Sequence, residues 1–176
     1  MSLRQKIIVF DGPDGCGKTN ISQALASDLQ VPYFKNTDEW KYFIDDPSYF
    51  VNALTYGDPY FLSYLKQTGA SVIIDRWYAS EWVYSRVFDR PTRMDMLDAI
   101  DQRAAALGTK IVIPYRENYT GVVDQFKDVI TPEILETVHN TYAQFAEWTE
   151  CDTFFLNVDD EDLTRELKEV HNFLRG

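Results

Sequence analysis

The chain has 176 residues, 45% hydrophobic and 15% aromatic, and its 17 basic and 28 acidic side chains give a formal net charge of −11. That is length and apolar content enough for a packed domain, which excludes disorder as the main state. An acidic surface disfavours nucleic acid and anionic membranes as partners, and no apolar run approaches the roughly 18 residues a transmembrane helix needs.

The charge is uneven. Residues 1–115 carry 12 basic and 14 acidic groups, a net of −2, and residues 116–176 carry 5 and 14, a net of −9. An anion site is therefore compatible with the first two thirds. The N-terminus has no signal-peptide layout, and the two cysteines, Cys16 and Cys151, match no metal spacing. These features predict a soluble cytoplasmic protein of one domain, 1–176.

Taken in chain order, Ile7–Phe10 is an apolar run without alternation, as in a strand buried on both faces. Ile21, Leu25 and Leu29 then step by four, predicting a helix. Val31-Pro32-Tyr33-Phe34 is a weaker strand, and residues 35–70 are rich in aromatics read mainly as packing residues. Val72-Ile73-Ile74 and Ile111-Val112-Ile113 repeat the buried-strand pattern, with Phe154–Val158 as the last. Between them, Met94, Leu97, Ile100 and Ala104 predict a helix stopped at Gly108. Thr131-Pro132 reads as an N-cap opening the stripe Ile134, Val138, Tyr142, Phe145, and Leu163, Leu167, Val170 and Leu174 form the final stripe. Strands alternating with helices predict an α/β fold with a parallel sheet.

The sharpest motif is Gly12-Pro13-Asp14-Gly15-Cys16-Gly17-Lys18-Thr19, which matches G-x-x-x-x-G-K-[ST] and stands between a predicted strand and a predicted helix. Its amides and helix N-terminus would cradle phosphate, Lys18 would reach the β- and γ-phosphates, and the Thr19 hydroxyl would ligate Mg²⁺. Gly12, Asp14, Gly15, Cys16, Gly17, Lys18 and Thr19 are thus the candidate ATP-binding residues. Cys16 is a small filler, because no base stands beside it. The GTPase base-reading motif Asn-Lys-x-Asp is absent. The second motif is Asp75-Arg76 at the end of the third strand. There the carboxylate suits Mg²⁺ or its waters and the guanidinium suits a phosphate.

Phe10–Thr19 is similar to the thymidylate kinase P-loop, F-E-G-x-D-G-x-G-K-[ST]. Asp75-Arg76-Trp77-x-x-Ser80-x-x-Val83-Tyr84 resembles that family's D-R-[YFHW]-x-x-S-x-x-A-[YF]. The chain looks most like the deoxynucleoside monophosphate kinases of bacteriophages. The resemblance implies a three-layer P-loop nucleoside monophosphate kinase fold with a five-stranded parallel sheet. It implies ATP- and Mg²⁺-dependent phosphoryl transfer to a deoxynucleoside 5′-monophosphate, in the cytoplasm of a bacterium or a phage-infected host, and a homodimer as is usual in the family. It assigns Asp14 to the acceptor's 3′-hydroxyl and Arg76 to its phosphate. Trp77 would wall the sugar against a 2′-hydroxyl, with Ser80, Tyr84 and Ser85 lining the pocket. Two departures bear on the base. Ser85 replaces the family's usual Gln, Asn or Thr, and residues 42–65 contain no Arg. Lys35 is a weak substitute for the missing Arg-Glu-Pro-Gly segment. An altered base specificity is expected.

Residues 115–130 read as a polar, glycine-containing lid. Because Gly15 stands where some of the resembling enzymes carry a P-loop arginine, the transition-state cation is expected from the lid, as Arg116 or, behind it, Lys127. His139 and His171 are expected at the surface. The alternatives are a deoxynucleoside kinase, with Asp11 or Glu39 as base, and a non-catalytic nucleotide-binding protein.

Overall fold

The computed structural model describes residues 5–35, 53–122 and 130–176. The expectations on Glu39, on Lys127 and on the aromatics from Trp40 to Phe50 lie outside them. In chain order the elements are β1 (Ile7–Phe10), α1 (Lys18–Leu29), β2 (Tyr33–Lys35), a π-helical turn (Ala53–Gly57) running into α2 (Asp58–Thr68), β3 (Val72–Asp75), α3 (Tyr78–Val87), α4 (Met94–Ala106), β4 (Lys110–Tyr115), α5 (Pro132–Trp148), β5 (Asp152–Asn157) and α6 (Leu163–Arg175). The five strands form one parallel sheet in the order β2-β3-β1-β4-β5.

The apolar runs do not alternate because both faces of the sheet are covered. Ile7, Val9, Val72, Ile74, Ile111 and Ile113 pack on one side with Trp82, Leu97, Tyr142 and Phe145 of α3, α4 and α5. Ile8, Phe10, Ile73 and Val112 turn to the other side and meet Ile21, Leu25 and Val170 of α1 and α6. Each such side chain contributes roughly 1.5–3 kcal/mol of apolar transfer, so the sheet centre is the most firmly held part of the chain.

Local signals place the ends. Thr131 caps α5, its hydroxyl accepting from Ile134 N, with Pro132 at the first helical position. Asp162 caps α6 by accepting from Thr164 N and Arg165 N.

The order places β1 between β3 and β4, with the connection after β1 running to β2 on one side and the connection after β3 crossing to β4 on the other. Such a divergence at the carboxyl ends of the strands is the usual place for a ligand in an open α/β sheet. Phe10 is in register with Asp75 and Val112, which brings the residues after β1 and β3 side by side.

Candidate active site

The loop after β1 runs Asp11–Gly17 and delivers Lys18 and Thr19 as the first residues of α1. Two glycines are required by their surroundings. A Cβ on Gly12 would stand 2.7 Å from the Pro114 carbonyl oxygen, because the end of β4 lies against the loop. Gly15 has φ +75°, and a Cβ there would collide with the Val122 side chain from the segment after β4. That segment therefore already rests on the P-loop.

Lys18 is buried and donates to the Pro13 carbonyl at 2.5 Å, so its ammonium lies across the loop. Burial, reinforced by the nearby Arg76 cation, lowers its pKa despite the carboxylates around it. Thr19 donates to Asp75 Oδ2 at 2.6 Å, and that oxygen also accepts from the Tyr33 phenol at 2.9 Å. Burial and the Asp75 carboxylate push the Tyr33 phenol up to about 12, so Tyr33 stays neutral and keeps the proton it donates to Asp75. The Lys35 ammonium stands 3.1 Å from Thr19 Oγ1.

This donor set fits Mg²⁺. A hydroxyl and a carboxylate oxygen in contact at the phosphate loop are hard ligands, and a cation already sits against the hydroxyl in Lys35. Among the described residues no group of three or more His, Cys, Asp or Glu is placed to hold a metal. Mg²⁺ needs none, since it takes one or two protein oxygens and completes its shell with water and phosphate.

Arg76 adopts φ +67°, a left-handed conformation unusual for a residue with a Cβ. Its backbone N–H is held by the Phe10 carbonyl at 2.9 Å. Its guanidinium donates to Ser80 Oγ at 3.1 Å and the Gly12 carbonyl at 3.3 Å, and it pairs with the Asp14 carboxylate. The Tyr84 phenol donates to the other Asp14 oxygen at 2.7 Å. Burial opposes ionisation of Asp14, yet Arg76, Lys18 and Tyr84 together hold its pKa below the ordinary value. Burial likewise works against the Arg76 charge, and Asp14 more than restores it. The site is a compact alternation of charges, with Lys18 and Arg76 on either side of Asp14.

Beneath it lies Asp11, which stands at the acidic position of the F-E-G pattern and is expected from the sequence only as a base for the deoxynucleoside kinase alternative. Asp11 is fully buried and accepts from Gly12 N (3.1 Å), Trp77 N (2.9 Å), Ser80 N (3.1 Å), Ser80 Oγ (2.6 Å) and Tyr142 OH (2.7 Å). It thus ties the P-loop to the first turn of α3 and to α5. Its sequence signals are an acidic residue directly after a buried strand and its place in the F-E-G pattern. Tyr142 has none, since in the α5 stripe it looks like any core aromatic. Trp77 is itself buried, with Phe61 edge-on at 6.3 Å between ring centres and Asp58 accepting from its indole N–H at 2.9 Å.

Arg116 follows β4 and reaches back over the P-loop. Its Nε donates to the Gly15 carbonyl at 3.1 Å and its Nη2 to Glu161 at 2.7 Å. Two expectations need correction. Ser85 is buried and its hydroxyl turns back to the Trp82 carbonyl at 3.3 Å in its own helix, so it does not join the cluster around Arg76. His139 is less exposed than expected. It is half-buried against Tyr115 and Tyr119 with ring centres 4.9 and 6.1 Å away, because the segment after β4 folds over α5, and burial lowers its pKa. His171 stands 3.6 Å from Asp28. Cys16 is buried against Tyr119, and desolvation raises its pKa, consistent with a filler rather than a nucleophile.

No family model matches the chain, and no curated protein matches it in sequence. Solved structures do. The YorR protein of Bacillus subtilis, in complex with phosphorylated GDP, is 19% identical with a TM-score of 0.67, over 97% of this chain and 96% of that one. Thymidylate kinase from Ehrlichia chaffeensis is 17% identical with a TM-score of 0.67, over 98% and 100%. Deoxyadenosine kinase from M. mycoides, with the products dCMP and dCDP, is 21% identical with a TM-score of 0.58, over 96% and 98%. The chain therefore has the P-loop (deoxy)nucleotide kinase-like fold. Among the described residues no helix is long and apolar enough to cross a membrane.

Proposed function

We propose that the protein transfers the γ-phosphoryl group of ATP to a deoxynucleoside 5′-monophosphate, giving the diphosphate and ADP. The observation that carries this reading is the position of Arg76. The end of β3 and its left-handed backbone bring a half-buried, permanently charged guanidinium within an ion pair of the P-loop residue Asp14. A second phosphate lying beside the P-loop would find its planar fork there.

In this reading, Lys18 and the P-loop amides hold the donor's phosphates, and Thr19 and Asp75 hold Mg²⁺. Bound there, Mg²⁺ supplies charge neutralisation on the β- and γ-phosphates. Arg76 holds the acceptor phosphate, and Asp14, with Tyr84 behind it, accepts from the acceptor's 3′-hydroxyl. Trp77 and Ser80 complete that side. Arg116 lies over Gly15, at the loop around the transferring group, and is the proposed cation for the transition state, with Lys127 in reserve. The attacking oxygen already belongs to an anion, so no general base is needed, and catalysis is positioning and electrostatics.

The deoxynucleoside kinase alternative needs a carboxylate free to take a proton. Asp11 is a poor candidate, since five donors and burial occupy it. The family resemblance adds a place in deoxynucleotide biosynthesis, in the cytoplasm of a bacterium or a phage-infected host, through one domain with its lid at about 115–130.

The test is ADP release at one ATP concentration with every deoxy- and ribonucleoside monophosphate and every free nucleoside. Turnover with monophosphates and loss of it in Lys18→Ala support the reading. Turnover with free nucleosides alone would favour the alternative, and ATP binding without turnover would mark a non-catalytic protein.

A further inference from the structure

Tyr33 and Lys35 are the two ends of β2, the short edge strand that pairs in parallel with β3 and sets Lys35 in register with Asp75. Successive side chains of a strand point to opposite faces, so Tyr33 and Lys35 share one face and Phe34 takes the other. Both reach the same pair of groups. The Tyr33 phenol donates to Asp75 Oδ2 at 2.9 Å, and the Lys35 ammonium donates to Thr19 Oγ1 at 3.1 Å. Thr19 gives its one hydroxyl proton to Asp75 Oδ2 at 2.6 Å, so its oxygen faces Lys35 purely as an acceptor.

The other cations nearby are engaged elsewhere. Lys18 donates to the Pro13 carbonyl, and Arg76 pairs with Asp14. Lys35 is therefore the cation that rests on the Thr19–Asp75 pair. A hydroxyl oxygen has two lone pairs, and the ammonium takes one of them. A metal ion on that oxygen would share it with a positive charge already 3.1 Å away, and like charges at such distances repel even in water. Lys35 is exposed, and its long flexible stem lets the ammonium leave.

We infer that Lys35 is a positioning residue of the metal site: a tethered cation that braces the Thr19–Asp75 pair, competes with a divalent cation for it and must be displaced when that cation binds. The inference rests on Thr19 and Asp75 being the Mg²⁺ ligands of the proposed reaction.

Mn²⁺ titrated into the full chain without nucleotide, its free form counted by electron paramagnetic resonance, tests this without turnover. Lys35→Met keeps the stem, removes the charge and should bind Mn²⁺ about tenfold more tightly than wild type. Lys35→Arg keeps a cation and should bind like wild type. Lys66 is exposed in the last turn of α2, which leads to the opposite end of β3 from Asp75. Lys66→Met makes the same change in net charge and should alter the affinity by less than about twofold. A gain in Lys35→Met no larger than that in Lys66→Met overturns the inference. So does an equal gain in Lys35→Arg, and so does a gain that persists in Lys35→Met/Asp75→Asn, which would put the ion elsewhere. Absence of Mn²⁺ binding in both wild type and Lys35→Met overturns it as well. Monophosphate-dependent ADP release beside an unchanged Mn²⁺ affinity would sink this inference alone, and the tenfold gain in a protein that releases no ADP would sink the proposed function alone.

Discussion

Arg76 and Asp14, 62 positions apart, form an ion pair across the mouth of the site, with the Tyr84 phenol closing on the other carboxylate oxygen. Neither group is balanced alone, because each is buried enough that its charge is costly without the other. Under the proposed function an acceptor phosphate would share Arg76 with Asp14, and the pair would then serve both substrate binding and apo stability.

Arg76→Ala should therefore act on the acceptor side. We expect kcat/KM for the monophosphate to fall by about 10–10²-fold, as for loss of a charged hydrogen-bonding partner, with ATP affinity changed little. Steady-state kinetics in both substrates, with ATP affinity by calorimetry, separate the two. Equal losses for donor and acceptor would refute the assignment.

Lys18→Ala should cost about 10²–10⁴-fold in kcat, since it removes the preorganised cation at the β/γ-phosphates. Single-turnover ADP release measures this directly. A near-normal rate would remove Lys18 from the mechanism.

Arg116→Ala should lower kcat while leaving both substrate affinities near normal. The expected loss is about 10²–10³-fold if the guanidinium contributes chiefly at the transition state. Since its partner Glu161 is exposed, Glu161→Ala should leave folding stability within about 0.5 kcal/mol, readable by thermal melting. An unchanged kcat in Arg116→Ala would move the lid role to another residue.

Asp11→Ala should destabilise the fold by about 3–5 kcal/mol, because it strands buried donors on the Trp77 and Ser80 amides and the Tyr142 phenol. Chemical denaturation gives the value, and a loss below about 1 kcal/mol would show that the network relaxes at little cost.

Asp58 makes stability depend on pH. Its folded pKa is raised to about 6 from an ordinary 3.8. The native state then binds more protons than the unfolded state between those values, and stability falls as pH rises through that window. The penalty is absent below it and complete above it, at most about 3 kcal/mol. Asp58→Asn should be more stable than wild type by about 1–2 kcal/mol at pH 8, with the advantage vanishing near pH 4. Thermal melts at the two pH values decide it, and a pH-independent difference would contradict the burial argument.

The sequence by itself determined the strands, most helices and the two phosphate motifs. Ile7–Phe10 is the strand it was expected to be, and Thr131 and Pro132 open α5, because burial on both faces, capping and loop chemistry are local signals. It left α2 unread, since the aromatics of residues 35–70 show no clear period. Tertiary structure alone decided what stands beside what. It brought Arg76 onto Asp14, gathered Trp77, Ser80 and Tyr142 around Asp11, turned Ser85 away, packed His139 against Tyr115 and Tyr119 and set Asp58 against Trp77. Each of these depends on strand order and on which side of a helix meets the sheet. Periodicity marks which residues are buried, but a buried carboxylate finds its donors only when separate parts of the chain converge.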